Sequence, residues 1–175
     1  AYIEFAPDGV APAIDINDPR LIRMRTFSKG YGMAGARVGY AIGQRDLIRS
    51  FDKIRNHFGM NRAAQAGALA ALNDTNWLDV VRAQAASSRT SINTIARDNG
   101  LSTLPSATNF VAVDCQQDGA FAQRVLAALL EQGIFVRMPF VAPQNRCIRI
   151  STGTAKNMQL LAKALPLALQ QARQG

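Results

Sequence analysis

The sequence predicts an α/β protein. Short runs with an apolar period of two alternate with longer runs of period near 3.6, the signatures of strands and amphipathic helices. Hydroxyl or carboxylate caps and glycine stops fall at the ends of several helical runs. The pattern also changes near residue 75. Strand-loop-strand plus helices gives way there to a long helix and a β-α-β-β-α succession. Residues 1–75 and 76–175 are therefore expected to belong to different domains.

The elements follow in order. Residues 1–5 are apolar and strand-like, and they lack an initiator Met, a basic leader and a long apolar stretch. That start is what a chain cut from something longer would show. Residues 21–28 interleave Ile22 and Met24 with Arg23 and Arg25 and predict a strand. Gly30, Gly32 and Gly35 make a bend, and residues 36–43 predict a second strand. Residues 44–56 place Leu47, Ile48, Phe51 and Ile54 on one helical face. Residues 62–72 are alanine-rich and strongly helix-forming. A long helix is expected over about 76–98, capped by Thr75, striped by Trp77, Leu78, Val81, Ala85, Ile92 and Ile95, and ended by Gly100. A strand at 109–114 leads to a helix at 119–132 between Asp118 and Gly133. Strands at 134–138 and 146–151 precede a last helix at 154–172, with Thr154 as cap and Pro166 as an expected kink. No internal repeat or low-complexity segment interrupts this pattern.

Composition narrows the function classes. With 48% hydrophobic and 18% charged residues, the 175-residue chain can bury a sizeable core without disulfide staples. No apolar run approaches the roughly 18 residues of a membrane span. Cys115 and Cys147 sit in apolar runs, show no C-x-x-C spacing and read as core residues of a cytoplasmic, reducing compartment. A single His and no ligand cluster argue against a metal site. The net charge of +8 is spread along the chain without a basic run or interleaved aromatics, which argues against nucleic acid; small anionic ligands or acidic surface in a missing segment account for it equally well.

The most informative stretch runs from Thr26 to Gly39. Lys29 stands where a strand gives way to a glycine-rich turn, after the hydroxyls of Thr26 and Ser28 and before Arg37. Hydroxyls, loop amides and a guanidinium suit a phosphate. A lysine beside positive charge suits a Schiff base. Together they describe a site for a phosphate-bearing aldehyde. The spacing is not that of a P-loop, which needs a glycine five residues before a Gly-Lys pair.

The whole segment resembles the cofactor-lysine segment of fold-type I aminotransferases, most of all the histidinol-phosphate aminotransferase group. The resemblance implies the C-terminal half of that fold: part of the large-domain sheet and a complete small α/β domain. It implies pyridoxal 5'-phosphate held by Lys29 as a Schiff base, with Ser28, Arg37 and more weakly Thr26 on its phosphate. Ala1 and Tyr2 resemble the end of the family's Asp-x-Ala-Tyr strand, so Tyr2 would bond the cofactor's ring hydroxyl; the Asp that pairs with the ring nitrogen would precede Ala1. Thr108, Asn109 and Phe110 resemble the family's strand start, where Asn109 would lie near substrate.

Arg149, flanked by Ile148 and Ile150, needs an anion if it points inward. The segment from Cys147 to Thr154 resembles the one whose arginine grips the substrate α-carboxylate. Arg137 would reach an acidic group at the other end of the substrate. His57 reads as structural or interface, since the family uses its lysine for proton transfer. The resemblance further implies transamination between an amino acid or amino-alcohol phosphate and a 2-oxo acid, and a homodimer. The piece alone is expected to be inactive, because half the site would be missing. A phosphoamino-acid decarboxylase and a non-catalytic basic binding domain are the rival readings.

Overall fold

The structure, a computed structural model, describes residues 1–174. They cluster into two compact units, Ala1–Arg82 and the residues from Ala83 onward.

In the first unit the opening segment is not a strand. Ile3–Phe5 form a 3-10 turn, in which the Phe5 amide donates to the Tyr2 carbonyl at 3.0 Å. The turn satisfies locally the groups that a strand would offer to a neighbour. Strands β1 (Ile22–Thr26) and β2 (Gly39–Gly43) pair antiparallel, with Ile22 opposite Gly43 and Thr26 opposite Gly39. Glycine is required at 39: a Cβ there would lie 2.6 Å from the Arg25 carbonyl oxygen.

Helix α1 (Arg45–Ser50) is capped by the Gln44 side chain and continues only into a 3-10 turn at Phe51–Lys53, short of the expected residue 56. The Ser50 hydroxyl takes the Leu47 carbonyl at 2.6 Å and so competes with the helical ladder. Helix α2 (Arg62–Asn73) starts at Asn61, whose side chain accepts from the Ala64 amide at 2.7 Å. Its Ala64 and Ala68 pack with Phe27 and Val38 to form this unit's core.

Helix α3 (Thr75–Asp98) crosses the division between the units. Its cap is Asp74, which accepts from the Trp77 amide at 3.0 Å; Thr75, the expected cap, is already helical. A carboxylate one residue earlier outcompetes the hydroxyl for the same amides. The buried face is Ala85, Ser88, Ile92 and Ala96, while Trp77 is 59% exposed, so the expected stripe holds only in the later turns. Gly100, at φ +74°, closes the helix with Leu101 donating to the Ala96 carbonyl.

The second unit is a three-stranded antiparallel sheet, β3 (Ser102–Thr103), β4 (Phe110–Asp114) and β5 (Cys147–Ser151) in that order, with helices α4 (Gly119–Glu131) and α5 (Ala155–Gln174). Strand β3 gave no sequence signal because two polar residues carry no alternation. The expected strand at 134–138 reduces to a single bridge between Arg137 and Arg149. Pro139, which has no amide, follows at once, and the Gly133 turn precedes it. Asp118 caps α4 through the Phe121 amide, and Thr154 with Asn157 caps α5 as expected. The α5 helix continues past Pro166, which is exposed. Val125, Leu129, Ile148 and Leu165 are fully buried at the core. Among the described residues no helix is long and apolar enough to cross a membrane, and no group of side chains is arranged to hold a metal.

Cys115 and Cys147 are free and buried, as expected of core residues. Burial pushes the Cys115 thiol from 9.0 up to about 12. The folded state therefore keeps a proton that the unfolded chain loses above pH 9, and stability falls as pH rises from 9 toward about 12. The slope expected from this group is about 1.4 kcal/mol per pH unit. Urea unfolding between pH 8 and 11 should show a decline that Cys115→Val lessens; an equal decline in the variant would assign it to other groups.

Candidate active site

The lysine turn is built around Phe27. Its side chain is 2% exposed and its ring lies 4.9 Å from that of Tyr31 and 5.6 Å from that of Tyr40. Its amide donates to the Val38 carbonyl at 3.2 Å, and its carbonyl accepts from the Met33 amide at 2.9 Å. Both limbs of the turn are thereby tied to the residue two before Lys29. Gly32 donates to the Lys29 carbonyl at 3.0 Å and adopts φ +69°, a conformation that favours glycine.

Lys29 is half-buried, and its Nζ lies 5.3 Å from the centre of the Tyr2 ring. The Ser28 amide donates to the Thr26 hydroxyl at 3.1 Å, which ties the Thr26 side chain to the Ser28 backbone. Arg37 is not at the head of the second strand. It sits two residues earlier, in the left-handed region at φ 53° and ψ 48°, with one guanidinium nitrogen on the Ala34 carbonyl at 2.7 Å. The structure thus brings Tyr2 to Lys29 and joins Thr26 to Ser28. Arg37, an exposed residue, stands on the returning limb.

In the second unit, Arg149 occupies the middle of β5, opposite Ala112 of β4 and bridged on its other side to Arg137. Its guanidinium carbon is 4.7 Å from the centre of the Phe110 ring. Arg149 and Arg137 both line a pocket of about 560 Å³ with Gln123, Leu126, Phe135 and Met138. Among the described residues no carboxylate lies within 4.0 Å of either guanidinium. Two arginines over a mostly apolar pocket suit an anionic ligand with an apolar middle.

Asn109 does not line that pocket; its carbonyl accepts from the Thr152 amide at 2.9 Å and the Thr152 hydroxyl at 3.2 Å. His57 is exposed on the segment between α1 and α2. Sequence reasoning missed Arg89, whose guanidinium holds the Thr108 carbonyl at 2.8 Å beside Asn109. It also missed the ion pair between Glu4 and Arg25 at 3.6 Å. A lone charge on a helix or strand carries no pattern that marks its partner.

The aminotransferase class I and II family model matches residues 1–165. The chain belongs to this family. Among aminotransferase relatives, the histidinol-phosphate aminotransferase of Gluconacetobacter diazotrophicus is 36% identical over 94% of this chain and 46% of its own length. Histidinol-phosphate aminotransferase 2 of Ralstonia nicotianae is 40% identical over 88% of this chain and 41% of its own. The crystal structure of histidinol-phosphate aminotransferase from Sinorhizobium meliloti, in complex with pyridoxal-5'-phosphate, superposes with a TM-score of 0.93 at 53% identity. It is matched over 97% of this chain and 47% of its own. The chain thus spans about half the length of these aminotransferases. L-threonine-O-3-phosphate decarboxylase from Porphyromonas gingivalis shares the fold, with a TM-score of 0.76 at 22% identity.

The left-handed Arg37 gives a direct test. A non-glycine residue there costs about 1 kcal/mol, so Arg37→Gly should raise unfolding stability by about 0.5–1 kcal/mol in urea titrations. A loss of stability would show that Arg37 is kept for the fold.

Proposed function

We propose that this chain carries the cofactor lysine and the substrate-gripping arginines of a pyridoxal-phosphate-dependent aminotransferase. The observation that carries the reading is Lys29, placed with its Nζ 5.3 Å from the Tyr2 ring in the turn that also holds Ser28 and Thr26.

The donor set fits the cofactor. One primary amine suits its aldehyde, two hydroxyls and a guanidinium suit its phosphate, and a phenol suits its ring oxygen. Lys29 would hold the aldehyde carbon through Nζ. Ser28 and Arg37, with Thr26, would hold the phosphate, and Tyr2 would donate to the ring oxygen. When bound, pyridoxal phosphate supplies the electron sink that acidifies the donor's α-hydrogen.

Each residue then has a task in the same reaction. Once the donor's amine has replaced it on the aldehyde carbon, Lys29 Nζ would be a free amine able to take the donor's α-proton and return it to the cofactor. Arg149 grips the α-carboxylate with its planar fork, which orients the α-hydrogen. Arg137 holds an acidic group at the far end of the donor, with Phe135 and Leu126 against its middle. Asn109, which is outside the lining of that pocket, would approach the substrate from beside it, with its carbonyl held by the Thr152 hydroxyl. An amino acid with a terminal acidic group meets these demands; in an amino-alcohol phosphate, which has no α-carboxylate, the phosphate would be the anion the arginines hold, and a 2-oxo acid accepts the amine. The protein that does this is a cytoplasmic homodimer with small-molecule substrates. Because the relatives are about twice as long, turnover is assigned to the full-length protein, and these 175 residues alone are expected to be inactive.

The test supplies the full-length protein and cofactor with amino donors, with and without a terminal phosphate, and 2-oxoglutarate. Glutamate and the donor's carbonyl product should form, fastest with the phosphate-bearing donor. Arg149→Lys should lower kcat/KM by about 10²-fold, chiefly through KM for carboxylate-bearing partners. Carbon dioxide release without amine transfer would replace transamination by decarboxylation.

A further inference from the structure

Glu4 and Arg25 join the segment that carries Tyr2 to the strand that carries Lys29. Glu4 lies two residues after Tyr2, and Arg25 four before Lys29. Arg25 Nη1 is 3.6 Å from Glu4 Oε1, with side chains 25% and 7% exposed. Arg25 is a fixed post: its carbonyl sits against Gly39, and its backbone is in register with Tyr40. Glu4 also leans on the lysine turn itself. A Cβ at Gly30 would come within 2.9 Å of the Glu4 Cβ, so the residue after Lys29 must be glycine for Glu4 to pack there.

The pair is poorly made for stability. Glu4 Oε2 and Arg25 Nε are both buried, and neither has a hydrogen-bond partner in the structure. A buried ion pair with one acceptor and one donor unmet stabilises a fold no better than apolar side chains of similar volume. An apolar pair cannot fix direction, however. A carboxylate drawn to one guanidinium sets the rotation of the 3-10 turn at Ile3–Phe5, and Tyr2 is the N-cap of that turn. The pair lines a small pocket of about 260 Å³ whose other ionisable groups are Asp8, Tyr31 and Arg82. Arg82 is engaged by Asp8 at 2.9 Å, which leaves Arg25 as the cation facing Glu4.

We propose that Glu4 and Arg25 are positioning residues that set the Tyr2 ring against Lys29, and so govern the protonation of the cofactor bound there. The proposal rests on the cofactor reading above. Glu4→Gln keeps the volume and removes the charge. Glu4→Met with Arg25→Met removes both charges and both unmet atoms.

The test records the visible absorbance of the lysine-bound cofactor against pH in the full-length holoenzyme, beside urea unfolding and kinetics. The double variant should unfold at about the wild-type urea midpoint, since apolar replacement of such a pair is often neutral. Its chromophore should titrate with a midpoint moved by about 0.5 unit or more. Its kcat should fall about tenfold with little change in KM for the 2-oxo acid. Glu4→Gln should move the same midpoint in the same direction, and it carries the test if the double variant does not fold. Wild-type titration and kcat in a folded variant would overturn the positioning role and leave the cofactor reading intact. A wild-type protein without a lysine-bound chromophore at any pH would overturn both.

Discussion

The enclosure of Phe27 between Tyr31 and Tyr40 is the contact on which the first unit's geometry depends. A buried aromatic ring fixes its backbone more strictly than a polar turn residue could, since any displacement opens a cavity. The neighbouring backbone adds to this. Phe27 donates to Val38 on the returning limb and accepts from Met33 on the departing one. The excursion between β1 and β2 is thus tied at its root, and Lys29 leaves it in a set direction. Gly39 completes the constraint by letting β2 approach the Arg25 carbonyl as no other residue could. An amine on a glycine-rich turn would otherwise sample many positions, and the role proposed for Lys29 is sensitive to misplacement.

On the proposed reading, the second unit solves a different problem, that of keeping guanidinium groups available for a ligand. Arg149 has backbone partners on both sides, so its position along β5 is fixed while its side chain rests on the Phe110 ring. The aromatic face shares the charge without the tight pairing a carboxylate would impose. Arg137 is held opposite it by the single bridge that remains of the expected strand. That loss of regular pairing leaves Phe135 exposed beside the pocket rather than in the core.

Much of the fold was legible from periodicity and caps, because the relevant forces are local. Asp118, Thr154, Gly100 and Gly133 mark helix ends by their own chemistry, and the structure uses each of them. Elements whose limits rest on a single competing contact, which periodicity does not mark, were less legible. The helix at 44–56 stops early because one serine competes for a carbonyl, and the opening segment turns on itself because its own carbonyl takes the nearest amide. Candidate site residues were legible where they share a short stretch, as Thr26, Ser28 and Lys29 do. The left-handed backbone of Arg37 and the Glu4–Arg25 pair were not, since neither a backbone angle nor a contact between separate segments leaves a mark in sequence.

The central claim is that Lys29 is the residue that holds the cofactor. Borohydride reduction of the protein loaded with pyridoxal phosphate, followed by intact mass and peptide mapping, tests it most directly. The account predicts one pyridoxyl-phosphate adduct per chain, on the peptide carrying Lys29 and lost in Lys29→Ala. An adduct on another lysine, or none on the loaded full-length protein, would contradict it.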